Sequence, residues 1–219
     1  MPERHDASLS GLRLHLGCGE QYLDGYLNID YPPDAHTVQQ RTVADKYADI
    51  RTLTYASCSV AEVRLHHVFE HFDRITALRL LLTWYDWLGE GGVVTIETPD
   101  FTRSIREIQR TRNVRVHGKL LRHLFGTHEA AWAVHADGWY REKFELTLGK
   151  LGFSRLVFTT EEWHGTYNIT VRAAKYPPYQ TRASQLAACR ELLRLHLVDE
   201  TPAELRLLET WMGQLGQCL

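Results

Sequence analysis

Two short stretches of this chain carry residues whose types and spacing could do chemistry. The first is Leu16-Gly17-Cys18-Gly19, which ends an apolar run at Leu12, Leu14 and Leu16 and is followed by Tyr26-Leu27-Asn28-Ile29-Asp30. Glycines at the end of a strand let a ligand approach backbone N–H groups, because no Cβ stands in the way. A carboxylate closing the neighbouring strand can accept two hydrogen bonds from a ribose diol. Together they describe a nucleoside pocket at the carboxyl edge of a sheet. The second stretch is His66-His67-Val68-Phe69-Glu70-His71. Imidazole titrates near neutrality and suits proton transfer. On a helix, His67 and His71 would share a face and could bind zinc with Glu70 beside them, the H-x-x-E-H pattern of a protease.

Those residues need elements to hold them. Residues 12–16 and 26–29 read as strands, and ten residues between Gly19 and Asp30 leave no room for a helix of ordinary length. The first crossover is therefore expected to be a loop around Gln21–Gly25. Asp49-Ile50 is expected to end a short third strand, and 61–65 is a strand running into His66-His67. Asp73 is a candidate N-cap for a helix carrying Leu78, Leu81, Leu82, Tyr85 and Leu88, stopped by Gly89. Gly91-Gly92 reads as a turn before the β-branched strand 93–97. Residues 102–126 are helix-compatible, 138–151 is a helix with Gly152 as its stop, and 153–160 and 167–173 read as an antiparallel pair. After Tyr176-Pro177-Pro178, a stripe at Leu186, Cys189, Leu193 and Leu197 and the capping box Thr201-Pro202-Ala203-Glu204 predict a helical hairpin. Its stripes are expected to dock on the domain or to form a homodimer contact. The fold class is α/β: a doubly wound, mostly parallel sheet with an antiparallel final strand.

The 219 residues are 44% hydrophobic and 24% charged with a formal net charge of −2, ordinary for one globular domain with an appendage. No apolar run approaches the ~18–20 residues of a membrane helix. The polar start MPERHDASLSG resembles no signal peptide, so a cytoplasmic location and no membrane contact are expected. Four cysteines (Cys18, Cys58, Cys189, Cys218) show no paired spacing and suggest neither a disulfide framework nor a zinc knuckle.

The order of glycine loop, Asp30, Asp49-Ile50, the His66–His71 stretch and Leu88-Gly89-Glu90-Gly91-Gly92-Val93-Val94 resembles class I S-adenosylmethionine-dependent methyltransferases. A small bacterial subset, the type 11-like enzymes, is similar in its compactness. The resemblance covers about residues 10 to 175, with 102–140 as a substrate lid and 176–219 as a helical extension. It implies S-adenosylmethionine as cofactor, held by Leu16, Gly17, Cys18, Gly19, Asp30, Asp49, Ile50, His66 and Glu70. Methyl transfer to a small-molecule or glycan acceptor, at oxygen, would need a base. His67 and His135 (in AVHADGW) are the candidates, with Asp100 positioning the acceptor and Trp132 and Trp139 walling the pocket. Glu70 and His71 are also expected to cap the following helix. These two match a divalent-ion pattern of some quinone-pathway O-methyltransferases, but His67 stands where that pattern has an acid, and no metal is expected.

Other readings weigh against this one. A dinucleotide site expects a third glycine where Tyr22 stands. The arginines between Thr102 and Leu124 suit an anionic acceptor. RNA is disfavoured by the slightly negative net charge and the lack of a basic-aromatic module. A non-catalytic S-adenosylmethionine-binding regulatory or partner protein is the alternative from another class.

Overall fold

A computed structural model describes residues 11–35, 41 and 43–217. The N-terminal decapeptide and Cys218 lie outside the described residues. One seven-stranded sheet organises the chain: β1 (Leu12–Leu16), β2 (Leu27–Asp30), β3 (Lys46–Tyr47), β4 (Val60–His66), β5 (Leu88–Pro99), β6 (Phe153–Trp163) and β7 (Thr166–Lys175). Their spatial order is β3-β2-β1-β4-β5-β7-β6. The first five run parallel, and β7 inserts antiparallel between β5 and β6. The order reverses between β1 and β4, so their carboxyl ends frame a crevice where α/β sheets bind ligands.

The first crossover has no helix. Residues 17–26 are turns and extended chain, as the short interval requires. Asn28 holds this loop down: its side chain accepts from Leu23 N (3.0 Å) and donates to the Leu23 and Tyr26 carbonyls and to Asp45.

Among the described residues the α-helices are α1 (Arg74–Trp87), α2 (Phe101–Arg110), α3 (Val114–Phe125), α4 (Arg141–Lys150), α5 (Arg182–Arg194) and α6 (Pro202–Gly216). Asp73 caps α1 as its sequence predicts, accepting from Ile75 N and Thr76 N. The far end of α1 is closed by Lys175, a buried cation on β7 that donates to the Tyr85 and Leu88 carbonyls, both at 2.7 Å. Leu78, Leu81, Leu82 and Trp84 of α1 join Leu14, Leu16, Ile29, Val63, Leu65, Val94, Ile96 and Val171 of the sheet in one core. The tail hairpin docks on the same core through Cys189, Leu193, Leu208 and Leu215.

Three local expectations change. Leu88–Pro99 is one strand, in which Val60 faces Leu88 while Glu62 already faces Val93; the glycine turn survives as a bulge within it. The third strand ends at Tyr47, before Asp49, whose carboxylate instead starts a 3-10 turn at Ile50–Thr52. The capping box is not reciprocal: Glu204 accepts from Val198 N, and Thr201 N donates to Asp199. Among the described residues no helix is long and apolar enough to cross a membrane.

Candidate active site

The loop after β1 folds back onto β2. Gly17 N and Cys18 N both donate to Ile29 O (2.8 and 3.1 Å), and Gly19 N donates to Asp30 Oδ2 at 2.7 Å. The three N–H groups expected to face a ligand are therefore spent inside the protein. What the glycines supply is shape. Gly17 has φ +69°, and a Cβ there would lie 2.3 Å from Val68 Cγ2. Gly19 has φ +56°, and a Cβ there would meet nothing within 4 Å, so it opens on free space. Asp30 accepts from Gly19 N and, through Oδ1, from Tyr31 N at 2.7 Å. Asp30 therefore clasps the loop and stands in the cavity wall. Burial pushes the Cys18 thiol up to about 12, which makes it an inert packing group.

This clasp opens onto a cavity of about 1450 Å³. Of the nominated residues, Gly17, Cys18, Gly19, Asp30, Ile50, His66 and His67 line it. Leu16 is fully buried in the core and does not. Asp49 is absent from the wall because its carboxylate is held by Arg51, at 3.0 Å from Nε and 2.6 Å from Nη2; Arg51 lines the cavity in its place. Asp100 is the N-cap of α2, accepting from Arg103 N at 2.9 Å, and is 8% exposed, so it serves the helix and not an acceptor. Trp132 lines the cavity, whereas Trp139 belongs to the core. None of the basic residues from Arg103 to Arg122 lines it. Arg103 lies 4.2 Å over the Tyr167 ring and faces Glu162 at 3.5 Å.

The β4 exit builds the other end. His67 has φ +52°, and that left-handed turn sets its ring between two carboxylates. Nδ1 lies 3.2 Å from Glu70 Oε1 and Nε2 lies 3.4 Å from Glu97 Oε1. Burial opposes its charge, but the two carboxylates outweigh burial and raise His67 to about 10. It is a held imidazolium at neutral pH, not the expected base. The hydrogen bond from His67 helps to lower Glu97 to about 2. His66 accepts from Arg64 Nε on its own Nε2 (3.0 Å), and burial lowers its pKa.

His135 also departs from the base role. It lies outside the cavity wall, and burial lowers it to about 4. Glu70, likewise behind the wall, does not cap α1. Its backbone carbonyl accepts from Ala136 N and Asp137 N (2.8 and 3.2 Å), tying the His135 loop to the β4 exit. Residues 69–71 form a single 3-10 turn, so the helix required by the H-x-x-E-H protease pattern is absent.

Sequence reasoning missed Arg51, Glu97, His123 and Asn168, all in the wall. His123, on α3, sits 2.9 Å from Asn168 Oδ1 and 3.3 Å from Tyr167 O through Nε2. A carbonyl can only accept, so Nε2 carries the hydrogen and Nδ1 is the basic nitrogen. Only Glu97 carried a hint, as the acid ending a β-branched strand.

No family model matches the sequence, and no curated protein matches it. Among solved structures, a SAM-dependent methyltransferase from Archaeoglobus fulgidus aligns with a TM-score of 0.52 at 16% identity, covering 75% of this chain and 87% of that one. The chain has the class I methyltransferase fold. A possible exported protein from Bordetella parapertussis aligns at 0.49 and 16% identity over 75% of this chain and only 63% of that one. A putative methyltransferase from Bacillus halodurans C-125 aligns at 0.49 and 12% identity, over 78% and 95%. In this chain the Gly17–Gly19 clasp and Asp30 stand at the carboxyl ends of β1 and β2.

Proposed function

We propose that the chain transfers a methyl group from S-adenosylmethionine to a small-molecule or glycan acceptor, at oxygen. The observation that carries this reading is the clasp of Gly19 by Asp30, opening on a cavity with room for a nucleoside and an acceptor together. Asp30 would hold the ribose hydroxyls, Gly19 would leave space for the backbone to approach, and Ile50 would offer an apolar wall to the base. When bound, the cofactor supplies a methyl group activated by a sulfonium.

Alignment is then the main task of the protein. The cavity wall bears Glu97 and Asp30, which favour a cationic ligand, and the held His67 imidazolium fixes Glu97 in place. An acceptor hydroxyl must lose its proton. His123 is neutral, because burial and the neighbouring His67 lower its pKa, and its Nδ1 is the nitrogen that would take that proton. The acidic and aromatic residues Glu161, Glu162 and Trp163 at the cavity mouth suit a neutral, hydroxylated acceptor better than an anion.

Calorimetry with S-adenosylhomocysteine tests the cofactor. Binding in the wild type and a loss of about 1–3 kcal/mol in Asp30→Ala are expected. No binding at millimolar ligand would remove the proposal. Methyl release with a panel of sugar and phenol acceptors then separates an enzyme from a protein that only binds the cofactor.

A further inference from the structure

At the cavity wall and just behind it, three side chains from two distant segments converge. One ligand atom each from Glu70, His71 and His135 can be chosen so that all lie within 4.8 Å of one another. The His71 and His135 rings meet nearly perpendicular, at 87°, with centroids 4.6 Å apart. We propose that these three residues form a binding site for a divalent transition metal of the zinc type.

The hydrogen bonds around the cluster orient it for that task. His135 Nδ1 lies 3.2 Å from Leu124 O, and His71 Nδ1 lies 3.2 Å from Val134 O. Each carbonyl can only accept, so both Nδ1 atoms carry hydrogen and both Nε2 atoms keep a lone pair. A ring N–H anchored on a backbone carbonyl is the usual outer-shell support of a metal-binding histidine. Glu70 is 2% exposed, and its Oε2 has no hydrogen-bond partner. A buried carboxylate oxygen without a partner is costly, and a cation satisfies it. The other oxygen, Oε1, faces His67 at 3.2 Å and His135 Nε2 at 3.9 Å. His67 becomes the outer-shell donor to the ligand Glu70.

The scaffold is held in register. Ala136 N and Asp137 N both donate to Glu70 O, clamping the loop that bears His135 against the turn that bears Glu70 and His71. Bonds of about 2.0–2.1 Å place tetrahedral ligand atoms about 3.4 Å apart, so the cluster closes on an ion by side-chain motion of about an ångström. Two imidazoles and one carboxylate are a known three-ligand set for zinc, leaving a fourth position open. His71 also lines the cavity, so the site adjoins it. On the methyl-transfer reading above, an acceptor oxygen in that position would be held and made more acidic.

The test is zinc titration of the full chain after chelator dialysis, by calorimetry and elemental analysis. One zinc per chain is expected, with at least tenfold weaker binding in His71→Ala and in His135→Ala. His164→Ala, an exposed histidine on the β6–β7 turn, should bind as the wild type does. Cobalt substitution gives a second readout: a visible absorption band in the wild type and in any folded His164→Ala, lost in Glu70→Gln. Absence of binding below millimolar zinc would overturn the site, as would unchanged affinity in His135→Ala. S-adenosylhomocysteine titration of the same samples keeps the two proposals apart. Zinc without nucleoside binding removes the methyl-transfer reading alone; nucleoside without zinc binding removes the metal site alone.

Discussion

The two faces of the sheet are built on opposite principles. One face carries Leu14, Leu16, Ile29, Val63, Leu65, Val94, Ile96 and Val171, covered by α1, α4 and the tail hairpin. The residues between them form the other face: Arg13, His15, Asn28, Glu62, Arg64, Thr95 and Arg172. A doubly wound sheet ordinarily covers such a face with its first crossover helix, and here that crossover is a loop. The strands compensate with a polar layer. Glu62 accepts from Arg13 Nη2 and Tyr26 Oη, both at 2.8 Å, and from Thr95 Oγ1 at 3.1 Å. Arg13 lies 4.4 Å over the Tyr26 ring, and His15 meets Asn28 at 3.0 Å. The lesson is that a missing helix changes the residue chemistry of the surface it would have covered, not the strand order beneath.

That contrast can be broken from either side. Trp84→Ala, at a fully buried position on the apolar side, is expected to cost about 3–5 kcal/mol in denaturant unfolding. A loss below ~1 kcal/mol would mean that the helical layer is not the main source of stability. Glu62→Ala on the polar side leaves Arg13, Tyr26 and Thr95 without their shared acceptor and is expected to cost less, about 1–3 kcal/mol. A cost equal to that of Trp84→Ala would erase the distinction.

The loop that replaces the helix gives a finer test. Gly19→Ala meets no atom, so its folding cost is the left-handed backbone alone, about 1–2 kcal/mol. Gly17→Ala must also displace Val68 and is expected to cost more. If the two variants unfold alike, the tight contact at Val68 is not real.

The smallest effect is a pH dependence at the carboxyl edge. Glu97 is lowered to about 2 in the folded chain, below the ordinary 4.5 of a glutamate. Its contribution is therefore complete above pH 4.5 and is lost as pH falls from 4.5 toward 2. Unfolding measured at pH 5 and pH 3 should show a shallower fall in Glu97→Gln, by about 1 kcal/mol. An identical fall in both proteins would refute the ion pair with His67.

Much of the frame was legible in the chain because it rests on local rules. The strand at Leu12–Leu16 follows from alternation, the helix after Asp73 from its cap and its period, and the helix-free crossover from a count of residues. The cavity wall was legible at its glycine end, where backbone conformation restricts the residue type, and at Ile50, His66 and His67, which lie at or just past strand ends. Asp49 was misplaced because the third strand stops at Tyr47, which leaves its carboxylate to cap the next turn and bind Arg51 two residues on. Asp100 carried the signature of a loop acid and turned out to be a helix cap, two roles that share one residue type.

The sequence by itself determined the strand succession, the placing of Gly17–Gly19 and Asp30 at neighbouring strand ends and the length of the first crossover, since each depends on neighbours within about a dozen residues. Only the tertiary structure decided what the histidines do. His67 is charged because Glu97 reaches it from another strand, and His135 joins Glu70 and His71 through backbone hydrogen bonds spanning more than sixty residues. Charge state and ligand geometry are set by what packs around a group, and the chain brings those partners together only when it folds.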